Sequence, residues 1–213
     1  AWSEAETGIP APPDPDDDFY RTEGHCASVA ADGSCAVLWF AGAAGLSRGD
    51  LARPFQRVLI PLLYRRGLNC VHAALVASSR GAPAPGLMLA GPSGTGKSTT
   101  TLKLLQHGYR IVADDCFAVE RHADGTATGH SIFGSACLTE DAERRTPGLP
   151  GTFLRPANMK RVAKSVLVFP DSPESPMTRS LDIRAVVFPV LTPSAPASRL
   201  VPIDVPEAMR RFM

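Results

Sequence analysis

The chain has 213 residues, 44% apolar and 20% charged, enough to bury one sizeable core and too few for two full domains of ordinary size. Its 22 Lys+Arg against 21 Asp+Glu leave a formal net charge of +1, which gives no electrostatic ground for a nucleic-acid or membrane-surface partner. Five cysteines without C-x-x-C spacing, and no apolar run near the roughly 18 residues of a bilayer span, argue against a zinc site, a disulfide framework and a transmembrane helix; a reduced, cytoplasmic setting is expected.

Residues 1–18 contain "PAPPDPDDD", a proline-rich acidic run too poor in apolar residues to order itself, and are expected to form a flexible tail. Residues 19–68 read as a hairpin and a helix flanking the core. In "HCASVAADGSCAVLWF", Asp32-Gly33 separates two β-prone runs and predicts a hairpin on the antiparallel flank of the main sheet. "SRGDLARPFQRVLIPLLYRRG" predicts a single helix capped by Ser47 and stopped by Gly67, with Pro54 tolerated in its first turns and a kink at Pro61.

Residues 69–213 are expected to form the main domain. The apolar run "NCVHAALVAS" and the strand "LMLA" lead into Gly91-Pro92-Ser93-Gly94-Thr95-Gly96-Lys97-Ser98, a full match to G-x-x-x-x-G-K-[ST]. Glycines there let successive N–H groups turn inward as a nest for phosphate oxygens, and the following helix adds its positive end. Lys97 would reach the terminal phosphates and the Ser98 hydroxyl would ligate Mg²⁺; Thr99 completes the ATP-binding set. The helix should run from Lys97 to about His107 and end at Gly108.

"YRIVADD" and "CFAVERH" then read as two strands, Asp124-Gly125 as a turn, and "TATGHSIFGSA" as further extended structure. "SVLVF" and "RAVVFPV" are later strands, and Asp204 with Glu207 would box the start of a last helix. The sum is an α/β fold: a P-loop nucleotide-binding domain on a mixed, partly antiparallel sheet, because strands follow one another where a doubly wound fold would alternate strand and helix.

Asp114 and Asp115 return to the phosphate loop after one helix and one short strand. Kinases of the shikimate kinase type also put an acid there, where it can accept the proton of an acceptor hydroxyl in line with the γ-phosphate. Two adjacent acids can divide the work between metal and acceptor, and spacing alone does not say which does which. A nucleotide-gated regulatory module with weak ATPase activity and a small-molecule kinase both remain open. Without an N-K-x-D guanine signature, ATP is the default nucleotide.

The block from about Asn69 to Glu120 resembles the carboxy-terminal kinase domain of HPr kinase/phosphorylase, whose fold is related to phosphoenolpyruvate carboxykinase. The resemblance is carried by "HAALVA" from His72, "GPSGTGKST", a helix ending in Gly-Tyr-Arg, and "IVADD" continuing as strand, turn and strand. It implies an ATP- and Mg²⁺-dependent kinase acting on a serine-type hydroxyl of a peptide, protein or small metabolite. It assigns Lys97 to phosphate, Ser98 to Mg²⁺, Asp115 to proton transfer, Asp114 to the metal region and His72 to support of the carboxylate. It further suggests a homo-oligomer, and a stand-alone HPr-kinase-like protein of the kind found in peptide natural-product pathways such as lasso peptide phosphorylation. The family's P-G-R-N-like segment has no clear counterpart; "TFLRPANMKRVAKS" supplies Arg155 and Lys160 as candidate contacts to phosphate or acceptor.

Overall fold

The computed structural model describes residues 18–22, 25–40, 48–79, 84–154, 164–192 and 197–212. The chain divides into two compact units, Ala1–Cys70 and Val71–Met213. Arg155 and Lys160, Ser47, and all of the expected tail except Asp18 lie outside the described residues.

In the first unit, β1 (Asp18–Thr22), β2 (His25–Val29) and β3 (Ala36–Phe40) pair antiparallel in that order. Asp32-Gly33 forms the predicted turn: Gly33 takes φ 70° and the Asp32 carboxylate accepts the Ser34 N–H at 2.8 Å. The hairpin does not join the main sheet as expected but belongs to a separate three-stranded one. Ala27 and Val29, with Ala36 and Leu38, pack with Val58 and Leu62, so the apolar face of the hairpin is covered locally.

The single helix expected over Ser47–Arg66 is two, α1 (Arg48–Ala52) and α2 (Gln56–Arg65). The reason is Pro54, which disfavours helical geometry at Arg53 and brings no N–H, while Phe55 turns into the left-handed region at φ 60°. Pro61 sits inside α2 without ending it. Gly67, at φ 78°, closes α2, with its N–H donating to Tyr64 O and the Leu68 N–H to Leu63 O, both at 3.0 Å.

The second unit is built on a seven-stranded sheet. Its strands are β4 (Asn69–Val71, at the division between the units), β5 (Ala74–Ala77), β6 (Gly86–Leu89), β7 (Ile111–Ala113), β8 (Phe117–Arg121), β9 (Ala127–Ser131) and β13 (Ser180–Val187). Their spatial order is β4-β8-β9-β13-β6-β5-β7. β13 runs parallel to β6, whereas β5 is antiparallel to both β6 and β7, so the sheet is mixed as predicted. Helix α3 (Lys97–Gln106) connects β6 to β7 and ends as expected, with Gly108 at φ 81° and the Tyr109 N–H donating to Leu104 O at 3.1 Å.

A smaller sheet orders β10 (Ser135–Thr139), β12 (Lys164–Val168) and β11 (Thr152–Leu154), all antiparallel. Val76 and Ile111 pack with Leu102 and Leu105 of α3 and with Leu138 and Leu167 of that sheet, while Leu75, Val112 and Phe117 form a second cluster. β5 is therefore buried on both faces, which is why "ALVA" is uniformly apolar. The seven-stranded sheet curls until Gly129 of β9 meets Leu75 of β5: a Cβ at Gly129 would overlap the Leu75 side chain.

Helix α4 (Glu140–Arg145), absent from the sequence reading, is capped by Thr139, whose hydroxyl accepts the Ala142 N–H at 3.1 Å. The last helix, α5 (Val205–Phe212), is capped by Asp204, which accepts the Glu207 N–H at 2.8 Å. The return bond of the expected box is not the one Glu207 makes: its carboxylate takes Arg210 and Arg211, each at 2.7 Å. Among the described residues no helix is long and apolar enough to cross a membrane.

Candidate active site

The loop between β6 and α3 has the backbone its glycines permit. Gly91, Gly94 and Gly96 take φ values of 135°, 86° and 97°, a region that side-chain-bearing residues rarely adopt. Thr95 braces the loop through a 2.9 Å hydrogen bond from its hydroxyl to Pro92 O. Lys97 is 7% exposed and folds back so that its ammonium donates to Gly91 O at 2.7 Å and Pro92 O at 3.0 Å. Gly96 gives α3 no side-chain cap, so the helix presents its amino end with its first-turn N–H groups uncapped by a side chain. Ser98 and Thr99, in that first turn, are half-buried, and Pro92, Ser93 and Gly94 are exposed.

Sheet register brings the remaining candidates to the same end. The carboxyl ends of β6 and β7 both abut the amino end of β5, with Ala74 opposite Leu89 and Leu75 opposite Ala113. The phosphate loop follows Leu89, the aspartate pair follows Ala113, and His72 lies two residues before Ala74. Antiparallel pairing of one central strand with two outer ones is thus what converts three separate sequence signals into one locus.

Within that locus the two acids differ. Asp114 is 1% exposed, whereas the Asp115 side chain keeps 27% of its surface and its Oδ1 lies 3.1 Å from Nδ1 of His72. His72 is the more open partner, its side chain 58% exposed. The arrangement offers a solvent-reachable carboxylate oriented by an imidazole, next to a buried carboxylate and a helix amino end.

The donor set fits a triphosphate and a hard divalent cation. Among the described residues no group of three or more His, Cys, Asp or Glu could hold a metal by itself. The Ser98 hydroxyl and the Asp114 carboxylate are the side chains that would hold a Mg²⁺ here beside the nucleotide's own oxygens, a small set that suits a cation keeping few protein ligands.

One neighbour of the loop was not identified from sequence. The Ala90 N–H donates to Val187 O at 2.9 Å, and the chain beyond β13 carries Leu191 over Gly96, its Cδ2 lying 3.4 Å from where a Gly96 Cβ would stand. The only sequence signal is that "RAVVFPVL" stays apolar past Pro189.

The family model of the HPr Serine kinase C-terminal domain matches residues 70–136, a span that holds His72, the whole phosphate loop, Asp114 and Asp115. The HPr kinase/phosphorylase of Geobacillus sp. (strain WCH70) is 43% identical over 44 residues, covering 21% of this chain and 14% of that protein. The enzyme of the same name from Bacillus subtilis (strain 168) is 41% identical over 46 residues, 22% of this chain and 15% of that protein. The one from Chlorobium phaeobacteroides (strain BS1) is 43% identical over 51 residues, 23% and 15% respectively. The matched part thus spans about a seventh of these relatives, 14–15% of their length. The solved Hpr(Ser) kinase/phosphatase from Coxiella burnetii aligns with 63% of this chain and 74% of its own at 15% identity, with a TM-score of 0.36. Over residues 70–136, therefore, the chain is similar to the HPr Serine kinase C-terminal domain.

Proposed function

We propose that this chain transfers the γ-phosphoryl group of ATP to a serine-type hydroxyl on a peptide, protein or small metabolite. One observation carries the reading: the Asp115 carboxylate, open to solvent and 3.1 Å from His72, lies at the sheet end that also holds the phosphate loop. The match to the HPr Serine kinase C-terminal domain over the same residues supports it.

Loop N–H groups and the amino end of α3 bind the phosphates, and the Lys97 ammonium exchanges the Gly91 and Pro92 carbonyls for the terminal phosphate oxygens. Mg²⁺ on Ser98 and Asp114 supplies charge neutralisation when bound. Asp115 accepts the acceptor's hydroxyl proton as the new oxygen–phosphorus bond forms and the bond to the bridging oxygen of ADP breaks, and His72 holds that carboxylate in place. Arg155 and Lys160 are proposed as additional cations toward phosphate or acceptor. The acceptor panel includes the precursor peptides of natural-product pathways, and assembly into a homo-oligomer belongs to the same proposal.

The test is γ-labelled ATP offered with serine-bearing peptides, proteins and small alcohols. Wild type moves label to an acceptor, while Asp115→Asn binds ATP normally and loses at least about a hundredfold in transfer. Undiminished transfer by that variant removes the base role from Asp115. Label that reaches only free phosphate, on every acceptor, favours the nucleotide-gated module instead.

A further inference from the structure

Val190 and Leu191 are aliphatic, each 68% exposed, and follow β13 after Phe188 and Pro189. They leave the sheet beside the phosphate loop, because β13 runs parallel to β6 with Val187 opposite Leu89. Leu191 then packs on Gly96, its Cδ2, Cγ and Cδ1 at 3.4, 3.7 and 3.9 Å from the position of a Gly96 Cβ. The last residue of the phosphate loop is thereby covered by an apolar side chain whose remaining surface faces solvent.

Strand order says what that surface is for. β13 flanks β6 on one side, while β5 and β7, with His72, Asp114 and Asp115 at their ends, flank it on the other. If the terminal phosphate is attacked at Asp115, the triphosphate crosses the loop toward β5 and β7, and its other end leaves over β13. We infer that Val190 and Leu191 form an aliphatic shelf for the nucleoside of the bound nucleotide, contacting base or ribose by apolar packing alone. Such a shelf is tolerant of base identity, since every base offers an apolar face and neither residue carries a polar group to read an edge. This rests on the kinase reading above and adds the nucleoside subsite to it.

Tripolyphosphate carries the same phosphate chain without sugar or base, and so separates the shelf from the loop. Calorimetric affinities of the full chain for Mg-ATP, Mg-GTP and Mg-tripolyphosphate are compared in wild type, Leu191→Ser, Leu191→Met and the Val190→Ser/Leu191→Ser pair. The shelf predicts about a tenfold loss in affinity for both nucleotides in Leu191→Ser, a larger loss in the pair, little change in Leu191→Met, and tripolyphosphate unaffected throughout. An equal loss for tripolyphosphate would mean that Leu191 merely supports Gly96 and overturns the shelf. So would unchanged nucleotide affinity in the serine pair. A wild-type chain that binds tripolyphosphate but not ATP also overturns it while leaving the phosphate loop intact. A chain that binds neither removes the nucleotide site itself. Because both side chains are largely exposed, unchanged thermal unfolding is expected in every variant and checks that the losses are local.

Discussion

Nδ1 of His72 stands 3.1 Å from Oδ1 of Asp115, although 43 positions separate them in the sequence. The pair forms because β5 begins just after His72 and lies antiparallel to β7, which ends just before the two acids. In the proposed kinase reading His72 fixes the rotamer of a carboxylate that meets the acceptor oxygen, and small misplacements of such a group are costly. His72→Phe is expected to lower phosphoryl transfer by about ten- to a hundredfold while leaving ATP affinity unchanged, and His72→Gln to recover part of the loss. Single-turnover transfer beside equilibrium nucleotide binding checks it: a parallel loss of binding would assign His72 to the loop's architecture instead.

Gly129 is where the sheet's curl depends on a missing side chain. A Cβ there would overlap Leu75 and come 2.9 Å from the Phe117 ring, and both neighbours are fully buried. Gly129→Ala should destabilise the domain by about 1–3 kcal/mol, the usual cost of overpacking a core. Leu75→Ala should cost about 2–5 kcal/mol by itself, and the double variant less than the sum, because each relieves the other. Denaturant midpoints of the four proteins give the coupling; strict additivity would show that Gly129 and Leu75 do not share the space.

The site was legible in sequence because its parts are local signals. The loop, the helix ended by Gly108, and the acids after "IVA" each announce themselves within a few residues, and short apolar runs on either side of the helix-prone segment give β6, α3 and β7. That they share one end of the sheet follows from β5 pairing with both neighbours, which the sequence could suggest only through family resemblance. The break at Pro54 follows from its effect on Arg53, and Pro54 stands too far beyond Ser47 for the tolerance that proline has in the first turn of a helix. The separate hairpin sheet, the contact of Gly129 with Leu75 and the reach of Leu191 to Gly96 are tertiary facts with no short-range signature. Helix α4 is different: Thr139 followed by Glu140, Asp141 and Glu143 is a capping pattern, obscured because the preceding residues read as strand.

The Asp124-Gly125 turn between β8 and β9 carries an acid whose titration is tied to folding. The Thr126 hydroxyl donates to Asp124 Oδ1 at 2.6 Å and the Thr126 N–H at 2.9 Å, and the two bonds, the hydroxyl's first, hold the carboxyl below its ordinary 3.8. A folded value below the unfolded one means that the ionised turn favours folding at pH above 3.8, and that this contribution disappears as pH falls through the depressed value. The stability difference between wild type and Asp124→Asn should therefore be flat above about pH 5 and shift against wild type at lower pH. Urea midpoints across the acid range test it, and a difference independent of pH throughout would show that the turn does not perturb Asp124.

Thr139 ends β10 and begins α4, so one side chain governs the passage from sheet to helix. Its hydroxyl accepts the Ala142 N–H at 3.1 Å, the helix is only six residues long, and three acids occupy its first turn and two arginines its last. Such a short helix cannot hold itself together by its own hydrogen bonds. What fixes it is the cap, the complementary charges and the burial of Ala142 and Leu149 in the core that also receives Leu102 and Leu105 of α3. Thr139→Ala should cost about 1 kcal/mol, Thr139→Ser almost nothing, because the serine hydroxyl can make the same bond. Since α4 and the residues after it meet α3 at the end away from the phosphate loop, where Lys103 donates to Arg145 O and Gln106 to Pro147 O at 2.6 Å, nucleotide affinity should not change in either variant. Thermal unfolding and ATP titration together decide the matter: a cap loss that also weakened ATP binding would mean that α3 transmits the strain along its length to Lys97.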